Sequence, residues 1–241
     1  MHRIKNYEAL ARSPARRDIL DIIESGLASI DTSTIMQTHV RLEGEMLRIG
    51  YYSYDLTSYQ NIYVIGFGKA SCQAAVAIEK ILGNRIISGI ALAHDRGGTS
   101  VCSIITLCES THPLPSELNV TNTKAIIDTC ASITRDDLVL VLVSGGGSAM
   151  LCWPASECEQ GVRLYQAAIR KGLSIQQLNT IRKHISSLKG GGLAKILYPA
   201  TVVGILFSDV PGDTPEMIAS GPTYPDASTV GDARAVIEAY E

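Results

Sequence analysis

Four short stretches and one histidine carry the side chains able to do chemistry in this chain. The first is Gly66-Phe67-Gly68-Lys69-Ala70-Ser71, which follows an apolar run. Gly66 and Gly68 permit a tight strand-to-helix turn, and Lys69 puts a positive charge where a helix start already attracts anions. The second is Ser144-Gly145-Gly146-Gly147-Ser148, directly after the unbroken apolar segment Leu138 to Val143. Three consecutive glycines let a ligand approach the backbone and can turn amide N–H groups toward an anion. The third is the basic stretch NTIRKHISSLKGGG, with Asn179, Arg182, Lys183, His184 and Lys189. Read as one helix, it places Arg182 and Lys189, seven residues apart, on a common face, where a guanidinium fork and an ammonium could clamp a carboxylate or phosphate. In the fourth, Asp209 and Asp213 flank a Pro-Gly turn after an apolar run, suited to holding magnesium or orienting a hydroxyl. His112, between Thr111 and two prolines, is a further substrate-binding candidate.

Each stretch also has a plainer reading: a structural turn with a solvated lysine, a tight turn, a solvated basic helix face, an Asp-capped turn, a histidine fixing a proline-rich loop. The common motifs fit poorly. A Walker A loop would need glycine at Tyr63 and a hydroxyl at Ala70, and a dinucleotide fingerprint would need glycine at Ser71. A nucleophile elbow around Ser148 lacks its final glycine, since Met150 stands there. Taken together, loops that handle anions or metals after several strands point to one cleft for a phosphorylated ligand and its magnesium, the setting of phosphoryl transfer.

These loops need a sheet to hold them. Residues 15–30 place Ile19, Ile22, Ile23 and Leu27 at helical spacing, predicting an amphipathic cap helix that buries this face. Residues 39–52 suggest two short strands around Gly44. From Ile62 the pattern alternates: a buried strand, a helix over about 69–82, a strand at 86–92, a glycine turn at Gly97 and Gly98, and a strand at Val101 to Leu107. A helix follows at 118–132, served at its start by Ser116 or Glu117, then the central strand Leu138 to Val143. Helices at 156–171, 174–187 and 192–197 come next, the second opened by a Ser174 capping box. A strand at 202–208 and a helix from Asp232 end the pattern. Such alternation predicts an α/β fold, a Rossmann-like three-layer α/β/α sandwich on a mainly parallel sheet with right-handed crossovers.

Composition supports a globular chain: 241 residues, 46% hydrophobic, with net charge −3 and no long run of one sign. Nothing there suggests nucleic acid or membrane binding. No stretch reaches the roughly 18 apolar residues of a spanning helix, and the N-terminus lacks the apolar core of a signal peptide, so the expected location is cytoplasmic. Six cysteines without a CxxC pair read as reduced, mostly buried thiols.

The series GFGKAS, ESTHPLPSE, DDLVLVLVSGGGSAM, LNTIRKHISSLKGGGLA and SDVPGDTPEMIASGPTYPD, in this order, resembles the glycerate 2-kinase family, whose C-terminal half is called the MOFRL domain. The resemblance runs from Ile62 to Tyr240. It implies a Rossmann-like N-terminal domain and ATP-dependent phosphorylation of D-glycerate at its 2-hydroxyl, with a divalent cation. Some members carry the label hydroxypyruvate reductase. By motif, Lys69 matches the proposed catalytic lysine. The resemblance further implies that residues 1–241 form the N-terminal domain, with 1–60 a cap of helices and short strands, and that a second domain or partner chain supplies the rest of the cleft. Two other readings stand beside it: a nicotinamide-dependent hydroxypyruvate reductase, with Gly66 and Gly68 at the pyrophosphate and Asp95 as the acidic residue after the second strand, and a ligand-binding fragment without catalysis.

Overall fold

A computed structural model describes residues 2–95 and 101–240. The expected turn at Gly97 and Gly98 lies outside the described residues. Three helices open the chain: α1 (Tyr7–Leu10), α2 (Pro14–Ser29) and α3 (Thr32–His39). Ser13 accepts a hydrogen bond from the Arg16 amide and Pro14 takes the first helical position, so α2 starts where its missing donors cost least. Strands β1 (Val40–Glu43), β2 (Met46–Ile49) and β3 (Tyr52–Asp55) form an antiparallel meander, one strand more than the expected pair.

The main body comprises β4 (Ile62–Phe67), α4 (Ser71–Leu82), β5 (Ile86–Ala93), β6 (Ile105–Glu109), α5 (Glu117–Cys130), β7 (Leu138–Ser144), α6 (Gly147–Met150), α7 (Ala155–Lys171), α8 (Ile175–Ile185), α9 (Gly192–Leu197), β8 (Thr201–Phe207) and α10 (Val230–Glu238). Its five strands are all parallel, in the order β6-β5-β4-β7-β8. Every residue of β4 and β7 is buried, because successive side chains point to opposite faces and helices cover both. Val64, Leu140 and Leu142 pack with Cys72, Ala75 and Ile78 of α4. Ile65, Val139 and Val141 pack on the other face with Ile126 of α5 and Leu193 and Leu197 of α9. The three-layer α/β/α sandwich is therefore as expected. The chain winds outward in one direction from β4 and in the other from β7, so the carboxyl ends of this pair form the switch point where open sheets hold ligands.

At the opposite end of β7, the buried Asp137 holds the start of the strand. Its carboxylate accepts from Asn61 Nδ2 at 2.8 Å, the Thr134 amide at 2.7 Å and Thr134 Oγ1 at 2.9 Å. The Ser174 capping box is formed as expected, with Ser174 Oγ accepting from the Gln177 amide and Gln177 Oε1 from the Ser174 amide. Ser116 occupies the N-cap position of α5, but its hydroxyl bonds Thr111 and Asn119 side chains instead of the helix amides.

Three expectations need correction. Strand β6 begins at Ile105, four residues after Val101, because the Glu79 carboxylate accepts from the amides of Ser103, Ile104 and Ile105 and holds the approach to the strand away from the sheet. Helix α8 ends at Ile185, short of 187. The apolar stripe of α2 is not buried: Ile19, Ile22, Ile23 and Leu27 are exposed, and Leu20 is the buried residue of this helix. None of the six cysteines, all among the described residues, is in a disulfide; Cys72, Cys130, Cys152 and Cys158 are buried and Cys102 and Cys108 half-buried. Among the described residues, no helix is long and apolar enough to cross a membrane.

Gly68 joins the two central strands at φ +117°, and a Cβ there would lie 2.3 Å from Ser144 Oγ and 2.4 Å from its carbonyl oxygen. Gly68→Ala is expected to lose on the order of 3 kcal/mol through this clash and the disfavoured φ, read as a lower urea midpoint with an unchanged m-value.

Candidate active site

The turn after β4 is sealed against β7. The Lys69 amide donates to the Gly145 carbonyl at 2.9 Å, and the Ala70 amide to Ser144 Oγ at 3.0 Å. Ser71, buried, donates from Oγ to the Leu92 and Gly68 carbonyls at 2.5 and 2.8 Å. Helix α4 therefore starts at Ser71, two residues later than Lys69, and the amides of Lys69 and Ala70 are already used. Gly66 is equally constrained: a Cβ there would stand 3.0 Å from Ala91 Cβ. The exposed Lys69 side chain is what this turn contributes to the cleft.

The three glycines after β7 each admit a different neighbour. A Cβ on Gly145 would fall 1.8 Å from Asp209 Oδ2, so the Asp209 carboxylate occupies the space a side chain would need. At Gly146, in the left-handed region with φ +86°, the nearest atoms are His112 Cδ2 at 3.1 Å, His112 Nε2 at 3.3 Å and Lys69 Cε at 3.4 Å. At Gly147 they are Ala219 Cβ at 2.7 Å and Phe67 Cδ2 at 2.9 Å. The loop read as a generic anion cradle is, in the folded chain, the place where Asp209, His112 and Lys69 converge.

Ser148, the first residue beyond these glycines, shares a 2.7 Å hydrogen bond with Ser220. Ser220 Oγ in turn donates to Asn179 Oδ1 at 3.2 Å, and Arg182 Nη1 reaches the same oxygen at 3.4 Å. Arg182 also lies 5.7 Å from the centre of the Tyr165 ring, and burial of its guanidinium lowers its pKa. Asn179, Arg182 and Ser148 are thus brought together as expected. Lys189 is not. Beyond the end of α8, its ammonium is buried and donates to Glu157 Oε1 at 2.6 Å and to the Leu151 carbonyl at 2.9 Å. The common helix face predicted for Arg182 and Lys189 does not exist, because Ser186 ends the helix and its hydroxyl accepts from the Leu188 and Lys189 amides. Lys183 pairs with Asp226 at 3.2 Å, and His184 Nδ1 contacts the Thr180 carbonyl at 2.8 Å.

Several contributors escape a reading by motif. Asn119, fully buried, donates to the Thr111 and Ala149 carbonyls at 2.9 Å each and accepts from the Thr111 amide, tying the His112 loop to α6. One turn on, Thr123 Oγ1 donates to the Met150 carbonyl and accepts from the Cys152 amide. These polar residues, four apart on the face that also buries Ile126 and Cys130, were the available signal. Ser220 and Glu157 left none: their partners lie 72 and 32 residues away.

Two cavities meet at this centre. The smaller, about 420 Å³, is bordered by Lys69, His112, Ser148, Asn179 and Arg182. The larger, about 810 Å³, contains Ser144 and Asp213 in its wall. Lys69, Gly145 and Asp209 belong to both. Asp213 adopts a positive φ of 48° and does not border the smaller cavity. Among the described residues, no group of three or more His, Cys, Asp or Glu is arranged to hold a metal.

Burial, followed by the charges of Lys69, His94 and Arg182, lowers the pKa of His112 from 6.5, while Asp209 opposes the shift. His112 is therefore neutral at neutral pH. Because the unfolded chain binds this proton more readily, its contribution to stability is complete above pH about 6.5 and falls as pH drops through that value. Urea midpoints between pH 5 and 7.5 should fall with acidity, and His112→Gln should flatten the trend. A second measurement concerns the buried pair: Lys189→Met leaves the buried Glu157 side chain without its partner and should cost roughly 3–5 kcal/mol, while adding Glu157→Leu should recover most of it.

Comparison with known proteins follows the same outline. A relative in Agrobacterium vitis carrying a hydroxypyruvate reductase name is 39% identical over 180 residues, covering 73% of this chain and 41% of its own. The D-glycerate 2-kinase of Thermotoga maritima is 35% identical over 181 residues, covering 74% and 43%. A crystallised protein of Pyrococcus horikoshii OT3 superposes with a TM-score of 0.82 at 31% identity, over 95% of this chain and 51% of that one. The chain spans about half the length of the relatives it matches. Kinase names recur among them, in keeping with the resemblance of the motifs. With a match from residue 18 to 241, the chain belongs to the family described as Domain of unknown function (DUF4147).

Proposed function

We propose that this chain forms the N-terminal wall of an ATP-dependent D-glycerate 2-kinase. The observation that carries this reading is the pair of cavities sharing Lys69, Gly145 and Asp209, since transfer between two bound molecules needs two compartments meeting at a charged point. In the smaller cavity Arg182 grips the glycerate carboxylate through its guanidinium, while Ser148, Asn179 and neutral His112 supply hydrogen bonds to the hydroxyls. The 2-hydroxyl oxygen attacks the γ-phosphorus and forms the new O–P bond, its proton passes to solvent water, and the bond to the bridging oxygen breaks so that ADP departs with that oxygen. Lys69 neutralises charge on the moving phosphoryl group, and Asp209 orients the attacking hydroxyl. Positioning and charge neutralisation are the main requirements of this chemistry.

The donor set also fits magnesium. This ion binds through one or two carboxylates and completes its shell with phosphate oxygens and water, so Asp209 and Asp213 suffice without a third side chain. When bound, it supplies neutralising charge to the phosphates. Lys189, neutralised by Glu157, acts in this scheme by holding α7 to the loop after α8. A further domain, such as the added length of the relatives provides, or a partner chain would close the cleft from the other side. Six cysteines without a disulfide support a reducing compartment, and we assign the enzyme to the cytoplasm.

The nicotinamide-dependent reading, which the Agrobacterium vitis name keeps in view, is less well supported. A pyrophosphate at the first turn would need the Lys69 and Ala70 amides, and both are engaged with β7. A ligand-binding fragment without catalysis would bind glycerate but never release ADP.

Coupled detection of ADP release by the full-length gene product, supplied with ATP, magnesium and D-glycerate, tests the assignment. Lys69→Ala is expected to lower kcat/KM about 10²–10³-fold, as removal of one transition-state charge partner does elsewhere. Full activity in that variant would remove Lys69 from the mechanism, and NADH oxidation with hydroxypyruvate in place of ADP release would overturn the kinase reading.

A further inference from the structure

Beyond the reaction itself, the two cavities differ in a way that assigns their occupants. The smaller concentrates Lys69, Arg182 and His112. Both have apolar walls, with Pro113, Tyr165, Ile175 and Met217 in the smaller and Ile30, Ile35, Phe207 and Ile218 in the larger, but the larger has about twice the volume. A three-carbon hydroxy acid would leave most of the larger cavity unfilled, whereas a nucleotide needs that room and its flat heterocyclic base gains from burial between such walls. Of the charged residues around the larger cavity, Lys69 and Asp209 are those it shares with the smaller. Resting on the kinase reading, we propose that the larger cavity takes the nucleotide, its base against the α2–α3 junction at Ile30 and Ile35 and its phosphates running toward Lys69.

That junction is built to be rigid. Asp31 Oδ1 accepts from the Thr34 amide at 2.9 Å and from Thr34 Oγ1 at 3.1 Å, while its other oxygen pairs with Arg3 at 3.0 Å. Met36, almost fully buried, sits in the same apolar cluster as Cys72, Ala75 and Ile78 of α4, the helix that follows Lys69. The wall of the base site is therefore anchored to the helix beside the phosphate end. Ile30 itself is 68% exposed, so its apolar surface awaits cover that a stacked base would provide. This gives the N-terminal cap a role in nucleotide selection and not only in protecting the sheet.

Because Ile30 is exposed, Ile30→Glu is cheap for folding and sets a carboxylate beside the base. In the full-length gene product, the KM for ATP should rise about 10-fold, equivalent to about 1.4 kcal/mol of lost binding, while the KM for D-glycerate stays within twofold. Photolabelling with 8-azido-ATP, competed by ATP, should mark peptides spanning 27–37 or 204–218. Label on peptides spanning 163–182, or an Ile30→Glu effect confined to D-glycerate, would overturn the assignment and leave the kinase reading intact. An unchanged KM for ATP would do the same. Calorimetric binding of D-glycerate without any nucleoside triphosphate binding would bring down both.

Discussion

Everything at this centre depends on how closely the carboxyl ends of β4 and β7 can approach. The two strands are neighbours in one parallel ladder but send the chain in opposite directions, so their exits must turn away from each other over a few residues. Gly68 makes this possible by leaving no atom where Ser144 Oγ and the Ser144 carbonyl stand. With that space free, the amides of Lys69 and Ala70 close on β7, and α4 begins immediately afterwards. The same closeness commits the turn to holding two strands together and leaves the lysine side chain, instead of the backbone, open at the cleft.

From that junction the glycine-rich loop acquires a meaning that glycine content alone does not convey. Gly145 gives room to a carboxylate of the chain itself, Gly146 to an imidazole and the stem of Lys69, and Gly147 to the sheet and the segment around Ala219. Three adjacent positions without side chains thus draw strands β4, β7 and β8 and the His112 loop into one place. Asn119 and Thr123 secure the arrangement from α5, meeting carbonyls that the short helix α6 would otherwise leave buried without donors.

The cations illustrate how burial sorts charges that look alike in sequence. Lys69 is exposed at the cleft, Arg182 lies over Tyr165, Lys183 pairs with Asp226, and Lys189 is taken inside by Glu157. A charge removed from water requires a partner of opposite sign and good geometry, and of these four cations the deeply buried Lys189 has the closest carboxylate. Spacing along a presumed helix was no guide, since the helix stops at Ile185. The cap helix shows the converse. Its apolar stripe is plain in the sequence, but amphipathicity states only that a face differs from its opposite, and here that face points to solvent.

The apolar runs of β4 and β7, the alternation of strand and helix, the Ser174 capping box and the loops rich in glycine and charge were legible in the residues, because each depends on local backbone preference or on burial of a contiguous segment. They determined the α/β class and the end of the sheet where the candidate residues gather. Which groups meet there was decided by tertiary structure alone. Asp209 enters the space at Gly145, Ser220 joins Ser148 to Asn179, and Glu157 withdraws Lys189 from the cleft. These contacts join residues 32 to 72 positions apart, and no periodicity within a strand or helix encodes a distance that only the packing of layers brings to zero.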